Sequence, residues 1–190
     1  MIKERDFIQN KKNTMDKLAY AISENKVDIG IIPIIKKINS YDEYYTSSSC
    51  FGRIVLLEIP KIGDKKNAKS LGKWHRTIEI NEFKEALKKS EIGQLWLLSQ
   101  APIIHVFSRD LESGDKLVKK AVSCGFKNSG FRSISKNIVI EITSTERLDC
   151  PIGFDSELYC DEKYLKLLVK IANNIIKKST SKLEKLEENL

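Results

Sequence analysis

The chain has 190 residues, 41% of them hydrophobic and 31% charged, a balance that fits a folded soluble protein and excludes a largely disordered one. Lys and Arg number 33 against 26 Asp and Glu, a formal charge of +7, which favours a polyanionic partner such as a nucleic acid. No run of about eighteen apolar residues is present to cross a membrane, and the opening MIKERDFIQNKKN lacks the hydrophobic segment of a signal peptide, so a cytoplasmic protein with no membrane partner is expected.

Residues 1–25 are rich in helix formers, and Phe7, Met15, Leu18 and Ile22 recur near a helical period, predicting one long amphipathic helix or two shorter ones. In KVDIGIIPIIKKIN, Asp28 is placed to cap the next helix and Pro33 fits its first turn or two. The stretch YYTSSSCFGR then crowds Thr46, Ser47, Ser48, Ser49 and Cys50 before Gly52 and Arg53. Two readings stand there: hydroxyls that serve a backbone turn, or a ligand cradle.

GRIVLLEIP, bounded by Gly52 and Pro60, predicts a buried strand. Residues 61–76, KIGDKKNAKSLGKWHR, carry six Lys or Arg against one Asp without an apolar period and read as a mobile basic loop. NEFKEALKKSEIG reads as a helix with Asn81 near its cap, and QLWLLSQAPIIHVFSR as one or two buried strands around Pro102. DLESGDKLVKKAVSCG predicts a helix with Leu117, Val118, Ala121 and Val122 on its apolar face and Gly125 as its stop, followed by alternation of Ile138, Ile140 and Ile142 in a strand.

From about residue 161, Tyr164, Leu168, Ile171 and Ile175 at helical spacing predict a long C-terminal helix, with residues 179–190 as a frayed tail. Strands and helices intermix without a βαβ rhythm, and no G-x-G-x-x-G opens a helix. The fold class expected is α/β: a single domain over residues 1–190, with a mixed β-sheet packed by helices, not Rossmann-like, and monomeric.

Cys50, Cys124, Cys150 and Cys160 form no C-x-x-C pair, so reduced thiols are expected, with neither a zinc knuckle nor a redox dithiol. In the hydroxyl stretch, side-chain hydroxyls, a thiol and the Arg53 fork are donors that suit a carboxylate or phosphate. The G-x-S-x-G elbow of serine hydrolases is missing, and Cys50 stands too close to Arg53 for a phosphatase loop.

Two histidines are present. His105, in PIIHVF, shares a strand face with Ile103 and Phe107, which leaves a satisfied core histidine and a functional one both open. His75, beside Trp74 in the basic stretch, is either a surface residue or one facing RNA. GFKNSGFRS interleaves Phe126, Lys127, Phe131 and Arg132 around an Asn128-Ser129-Gly130 turn; it can stack a base and hold a phosphate, or merely pack after a helix stop.

Residues 46–53, TSSSCFGR, match the signature [S/T]-x-S-S-C-x-G-R, and the chain resembles the tRNA wybutosine-synthesising protein 3 family along nearly its whole length. KVDIGIIPIIKKIN, GKWHR, PIIHV, GFKNSGFRSI and CPIGFDSELYCDEKYLKLLVKIAN extend the resemblance. It implies an S-adenosylmethionine-dependent methyltransferase acting on tRNA(Phe). The acceptor is the N-4 ring nitrogen of a tricyclic, modified guanosine beside the anticodon, already bearing an aminocarboxypropyl chain. The fold implied is an unusual α/β arrangement.

Carried over by position, the resemblance marks Asp28, Thr46, Ser48, Ser49, Cys50, Gly52, Arg53 and His105. Thr46, Ser48, Ser49, Gly52 and Arg53 are the expected cofactor contacts. Asp28, Ser49, Cys50, Arg53 and His105 are the expected catalytic group, with Asp28 or His105 orienting the acceptor nitrogen and helping to remove its proton, and Cys50 shaping the pocket. No metal is needed for methyl transfer from a sulfonium. Lys65, Lys66, Lys69, Lys73, Trp74, His75, Arg76, Lys127 and Asn128 are the expected tRNA contacts. The rival readings are a basic RNA-binding module without catalysis and a hydrolase that uses Cys50 with a histidine.

Overall fold

The structure, a computed structural model, describes residues 4–64 and 66–190. In chain order the elements are α1 Glu4–Ser23, a 3-10 turn Ile29–Ile31, α2 Ile32–Asn39, β1 Tyr44–Cys50, β2 Arg53–Ile59, β3 Lys69–Trp74, α3 Ile80–Leu87 and β4 Gln94–Gln100. They continue with β5 Ile103–Ser108, α4 Leu111–Ser123, β6 Gly130–Ile134, β7 Ile138–Thr143, β8 Arg147–Phe154, β9 Glu157–Leu158 and α5 Glu162–Asn189. The chain divides into two compact units, one of Met1–Phe51, Pro102–Thr145 and Ser179–Leu190, the other of Gly52–Ala101 and Glu146–Lys178. The sequence alone led to the expectation of one domain.

The first unit holds a four-stranded sheet in the order β1-β5-β7-β6, antiparallel at every pairing. Its core gathers Ile34, Ile35 and Ile38 of α2, Ile104 and Val106 of β5, Ile140 and Ile142 of β7, and Leu117 and Ala121 of α4. Pro33 stands in the first turn of α2, where its missing N–H has no helical partner to lose. Asp110 caps α4 by accepting the Ser113 N–H at 2.7 Å, as short polar side chains at that position do.

The second unit holds a five-stranded antiparallel sheet, β3-β2-β4-β8-β9. Ile54, Leu56, Leu95, Leu97 and Phe83 are fully buried in it. Asn173 of α5 ties this unit together, accepting the Ile78 N–H at 2.9 Å and donating to the Ile78 carbonyl at 2.8 Å.

Several expectations are corrected. The strands form two wholly antiparallel sheets in place of one mixed sheet, because β1 and β2, and again β4 and β5, are neighbours in sequence but belong to different sheets. The hydroxyl stretch is β1, an edge strand paired to β5, where the ladder takes the backbone groups that a turn of serines would otherwise satisfy. Of the basic stretch, Lys69–Trp74 is strand β3, paired to β2 with Leu71 buried, since one inward apolar residue suffices on an otherwise exposed strand. Helix α3 begins one residue before Asn81, and Glu82 reaches back to the Glu79 N–H at 2.9 Å as in a capping box.

Helix α5 runs to Asn189, and Leu183 and Leu186 are buried in the first unit's core, so residues 179–189 are packed helix where a frayed tail over 179–190 is the sequence expectation. The inward stripe of α5 is Leu165, Leu168, Val169, Ala172, Ile175 and Ile176, while Tyr164 and Ile171 face outward. The four helically spaced residues chosen from sequence thus straddle the edge of the stripe.

Candidate active site

In the first unit, three cross-strand neighbours form a polar row. The register places Ser48 of β1 opposite His105 of β5, and His105 opposite Glu141 of β7. Ser48 Oγ and His105 Nδ1 stand 2.8 Å apart, and His105 Nε2 and Glu141 Oε2 2.9 Å. The other Glu141 oxygen accepts from the Arg132 guanidinium of β6.

A bulge sets this register. Tyr45 pairs with Phe107 and Thr46 with Val106, and the irregularity between Thr46 and Ser48 skips Ser47, bringing Ser48 to His105. Regular alternation would have put Ser47 there. Bulges re-aim a side chain in this way at the edge of a sheet. Farther along the strands Tyr45 is buried, its ring stacked on Phe107 at 4.8 Å and against Phe7 of α1 at 5.1 Å. Ser48 is exposed and His105 half-buried. His105 therefore shares a face with Ile103 and Phe107, as alternation predicts, but Ile104 and Val106 are the residues sunk in the core.

Glu141 is only 6% exposed. The bond from Arg132 holds its carboxyl below the ordinary carboxylate value, with the His105 contact acting in the same sense and burial opposing both. Arg132 is raised by the same bond.

Asp28 was expected to cap a helix. It precedes the 3-10 turn, but its side chain makes no capping bond; the carboxylate instead accepts the backbone N–H of Phe51 at 2.9 Å. A carboxylate oxygen of Asp28 and Cys50 Sγ lie within 4.8 Å of each other. The Phe51 ring covers Gly30, where a Cβ would meet it at 2.5 Å, so the segment that holds α2 in place also holds the end of the signature strand.

Thr46, expected at the cofactor, is buried; its hydroxyl accepts from Asn39 Nδ2 at 2.9 Å and its N–H donates to Asn39 Oδ1 at 2.7 Å. Ser49 and Cys50, the last two residues of β1, are half-buried. Gly52 begins the second unit with φ +98°, a left-handed conformation that a side chain rarely adopts. Arg53 donates through Nε to Gln100 Oε1 at 2.7 Å across β2 and β4, which leaves its terminal nitrogens, donors of the type a carboxylate takes.

The expected tRNA contacts are dispersed. In the second unit Lys66 and Lys73 are exposed, and Trp74 and His75 half-buried. Lys69 pairs with Glu91 at 3.0 Å. Arg76 forks onto Glu82 at 2.6 and 3.1 Å, holding that carboxyl at about 2. Lys65 lies outside the described residues. In the first unit Lys127 and Asn128 are exposed. Phe126 is fully buried and unable to stack on a base, and the Phe131 ring lies over Gly114 of α4.

Glu141 escaped the sequence reading, and Arg132 entered it only as part of a base-stacking segment. A signal did exist for Glu141, which is the one carboxylate in the alternating KNIVIEITS strand. Its outward period gave no sign that it would be buried beneath an arginine.

A fold of two antiparallel sheets, with a hydroxyl, an imidazole and a carboxylate joined across one of them, defines an α/β protein that departs from the Rossmann nucleotide crevice. The family described as Methyltransferase TYW3 matches residues 9–190, and the chain belongs to that family; by class it is a methyltransferase.

Among its relatives is tRNA(Phe) 7-((3-amino-3-carboxypropyl)-4-demethylwyosine(37)-N(4))-methyltransferase 1 of Pyrococcus horikoshii, 47% identical over 97% of this chain and 95% of that protein. The corresponding methyltransferase of Methanocaldococcus jannaschii is 41% identical over 91% of each chain. The solved structure of the PH1069 protein from Pyrococcus horikoshii superposes with a TM-score of 0.94, at 47% identity, covering 97% of this chain and 96% of that one.

Proposed function

We propose that the protein transfers a methyl group from S-adenosylmethionine to N-4 of the 7-(3-amino-3-carboxypropyl)-4-demethylwyosine base at position 37 of tRNA(Phe). The observation that carries this reading is the match to relatives named for that reaction across 97% of the chain at 47% identity. A tRNA substrate agrees with the formal charge of +7 and with the cytoplasmic location expected from the sequence. No helix among the described residues is long and apolar enough to cross a membrane.

S-adenosylmethionine, when bound, supplies a methyl group activated by a sulfonium. In the first unit Ser49 offers a hydroxyl donor for its polar end; in the second, Arg53 is a guanidinium of the kind a carboxylate takes. His105, hydrogen-bonded to Ser48 at 2.8 Å, is the group that takes up the proton the acceptor nitrogen loses. Asp28 acts as an anchor for the signature strand through the Phe51 N–H. Lys66, Lys73 and Lys127 are the exposed cations for the tRNA backbone.

The test is incubation of the purified protein with methyl-labelled S-adenosylmethionine and tRNA(Phe) carrying the demethylated base, followed by mass analysis of the released nucleoside. One added methyl on the tricyclic base is expected, and Ser49→Ala or Arg53→Ala should weaken donor binding in calorimetry. No incorporation under conditions where the Pyrococcus horikoshii relative methylates the same tRNA would overturn the reading and leave a non-catalytic RNA-binding module.

A further inference from the structure

We infer that Glu141 is a positioning residue for methyl transfer: it holds the His105 ring in the tautomer whose Nδ1 takes the Ser48 hydroxyl proton. The inference rests on the methyltransferase reading above and adds to it a residue outside the signature.

Geometry alone carries the assignment. Arg132 has donors and no acceptor, so the Glu141 oxygen it meets must accept. The second Glu141 oxygen, Oε2, faces His105 Nε2 at 2.9 Å. With the carboxyl ionised this oxygen is also an acceptor only, so the proton at that contact belongs to Nε2. In a neutral imidazole the other nitrogen, Nδ1, is then the lone-pair nitrogen. The group 2.8 Å from it is the Ser48 hydroxyl, which must donate.

The exposed side of Ser48 is left with oxygen lone pairs. The buried carboxylate, half-buried imidazole and exposed hydroxyl thus grade outward across one face of the sheet, from the inner strand β7 to the edge strand β1.

The balance is simple. A ring nitrogen that gains a methyl group in place of its hydrogen releases one proton as the new N–C bond forms and the donor S–C bond breaks. That proton passes to Ser48 Oγ while the Ser48 hydroxyl proton moves to His105 Nδ1. Serine ends neutral, and the imidazolium is paired with the Glu141 carboxylate. Arg132 keeps that carboxylate oriented, so little reorganisation is needed when charge appears on the ring.

Glu141→Gln makes the inference testable. Arg132 will claim the amide oxygen, turning the amide NH₂ toward His105. Nε2 must then accept, and the ring switches to the Nδ1–H tautomer, which donates to Ser48 and can no longer take its proton. With two histidines in the chain, two-bond ¹H–¹⁵N correlation spectra resolve each ring, and a His75→Gln variant assigns them.

The expected result is Nε2–H in the wild type and Nδ1–H in folded Glu141→Gln, with kcat falling on the order of 10²-fold and KM for both substrates unchanged. A wild-type ring in the Nδ1–H form overturns the inference without any variant, and so does a variant ring that stays Nε2–H. A switched ring with unchanged kcat overturns His105 as the proton acceptor while leaving the methyltransferase assignment in place. A wild type inactive on the modified tRNA overturns that assignment instead, while the spectra still report whether Glu141 sets the ring.

Discussion

The Asp28 carboxylate accepts the backbone N–H of Phe51 at 2.9 Å, joining the segment ahead of α2 to the last residues of the signature strand across 23 positions of sequence. Asp28→Ala removes a charge-assisted acceptor from a half-buried N–H, and a loss of about 1–3 kcal/mol in urea unfolding is expected. Asp28→Asn keeps an acceptor and should recover most of it. If alanine costs no more than asparagine, the anchoring role fails.

Leu186 is fully buried and Ile171 is 37% exposed, although both lie on α5. Leu186→Ala should therefore cost about 2–5 kcal/mol and Ile171→Ala below about 1 kcal/mol, measured by thermal unfolding. Equal effects would contradict the ordered, core-packed end of the helix.

Acid should weaken the polar row. Arg132, with His105, holds the Glu141 carboxyl below its ordinary value of 4.5. A carboxyl depressed on folding stabilises fully above its ordinary value, and that contribution is lost as pH falls through the folded one. The stability difference between wild type and Glu141→Gln should be about 1 kcal/mol at neutral pH, modest because Arg132 is largely exposed, and should shrink below pH 4.5. A difference that stays constant through that window would contradict the ionised pair.

For tRNA binding, the cations already engaged should matter less. Lys66→Gln and Lys73→Gln should each lower the slope of log affinity against log salt by about 1 if each meets a phosphate. Arg76, forked on Glu82, should change it less. Filter binding across a salt series separates them, and wild-type slopes for both Lys66→Gln and Lys73→Gln would remove these two lysines from the interface.

Much of the fold was legible locally. Isoleucines two residues apart marked β7, Gly125 marked the end of α4, and the residues of the signature were visible as a continuous string. Those features depend on neighbours in the chain: period, cap and stop are properties of a few successive residues. What lay beyond them was the pairing. Ser and Thr between two aromatic residues and a glycine look like a turn until β5 supplies the ladder that makes them a strand.

By itself, then, the sequence determined the α/β class, the positions of the helices and of strands β2, β4, β5 and β7, and the chemical types available along TSSSCFGR and PIIHV, because each follows from local pattern and side-chain chemistry. Only the tertiary structure decided that Ser48, and not Ser47, meets His105. It decided too that Glu141 lies buried behind that ring, and that Asp28 holds Phe51 in place of capping a helix. Each of these depends on register or on the approach of residues tens of positions apart, and a single bulged residue changes which hydroxyl the imidazole sees.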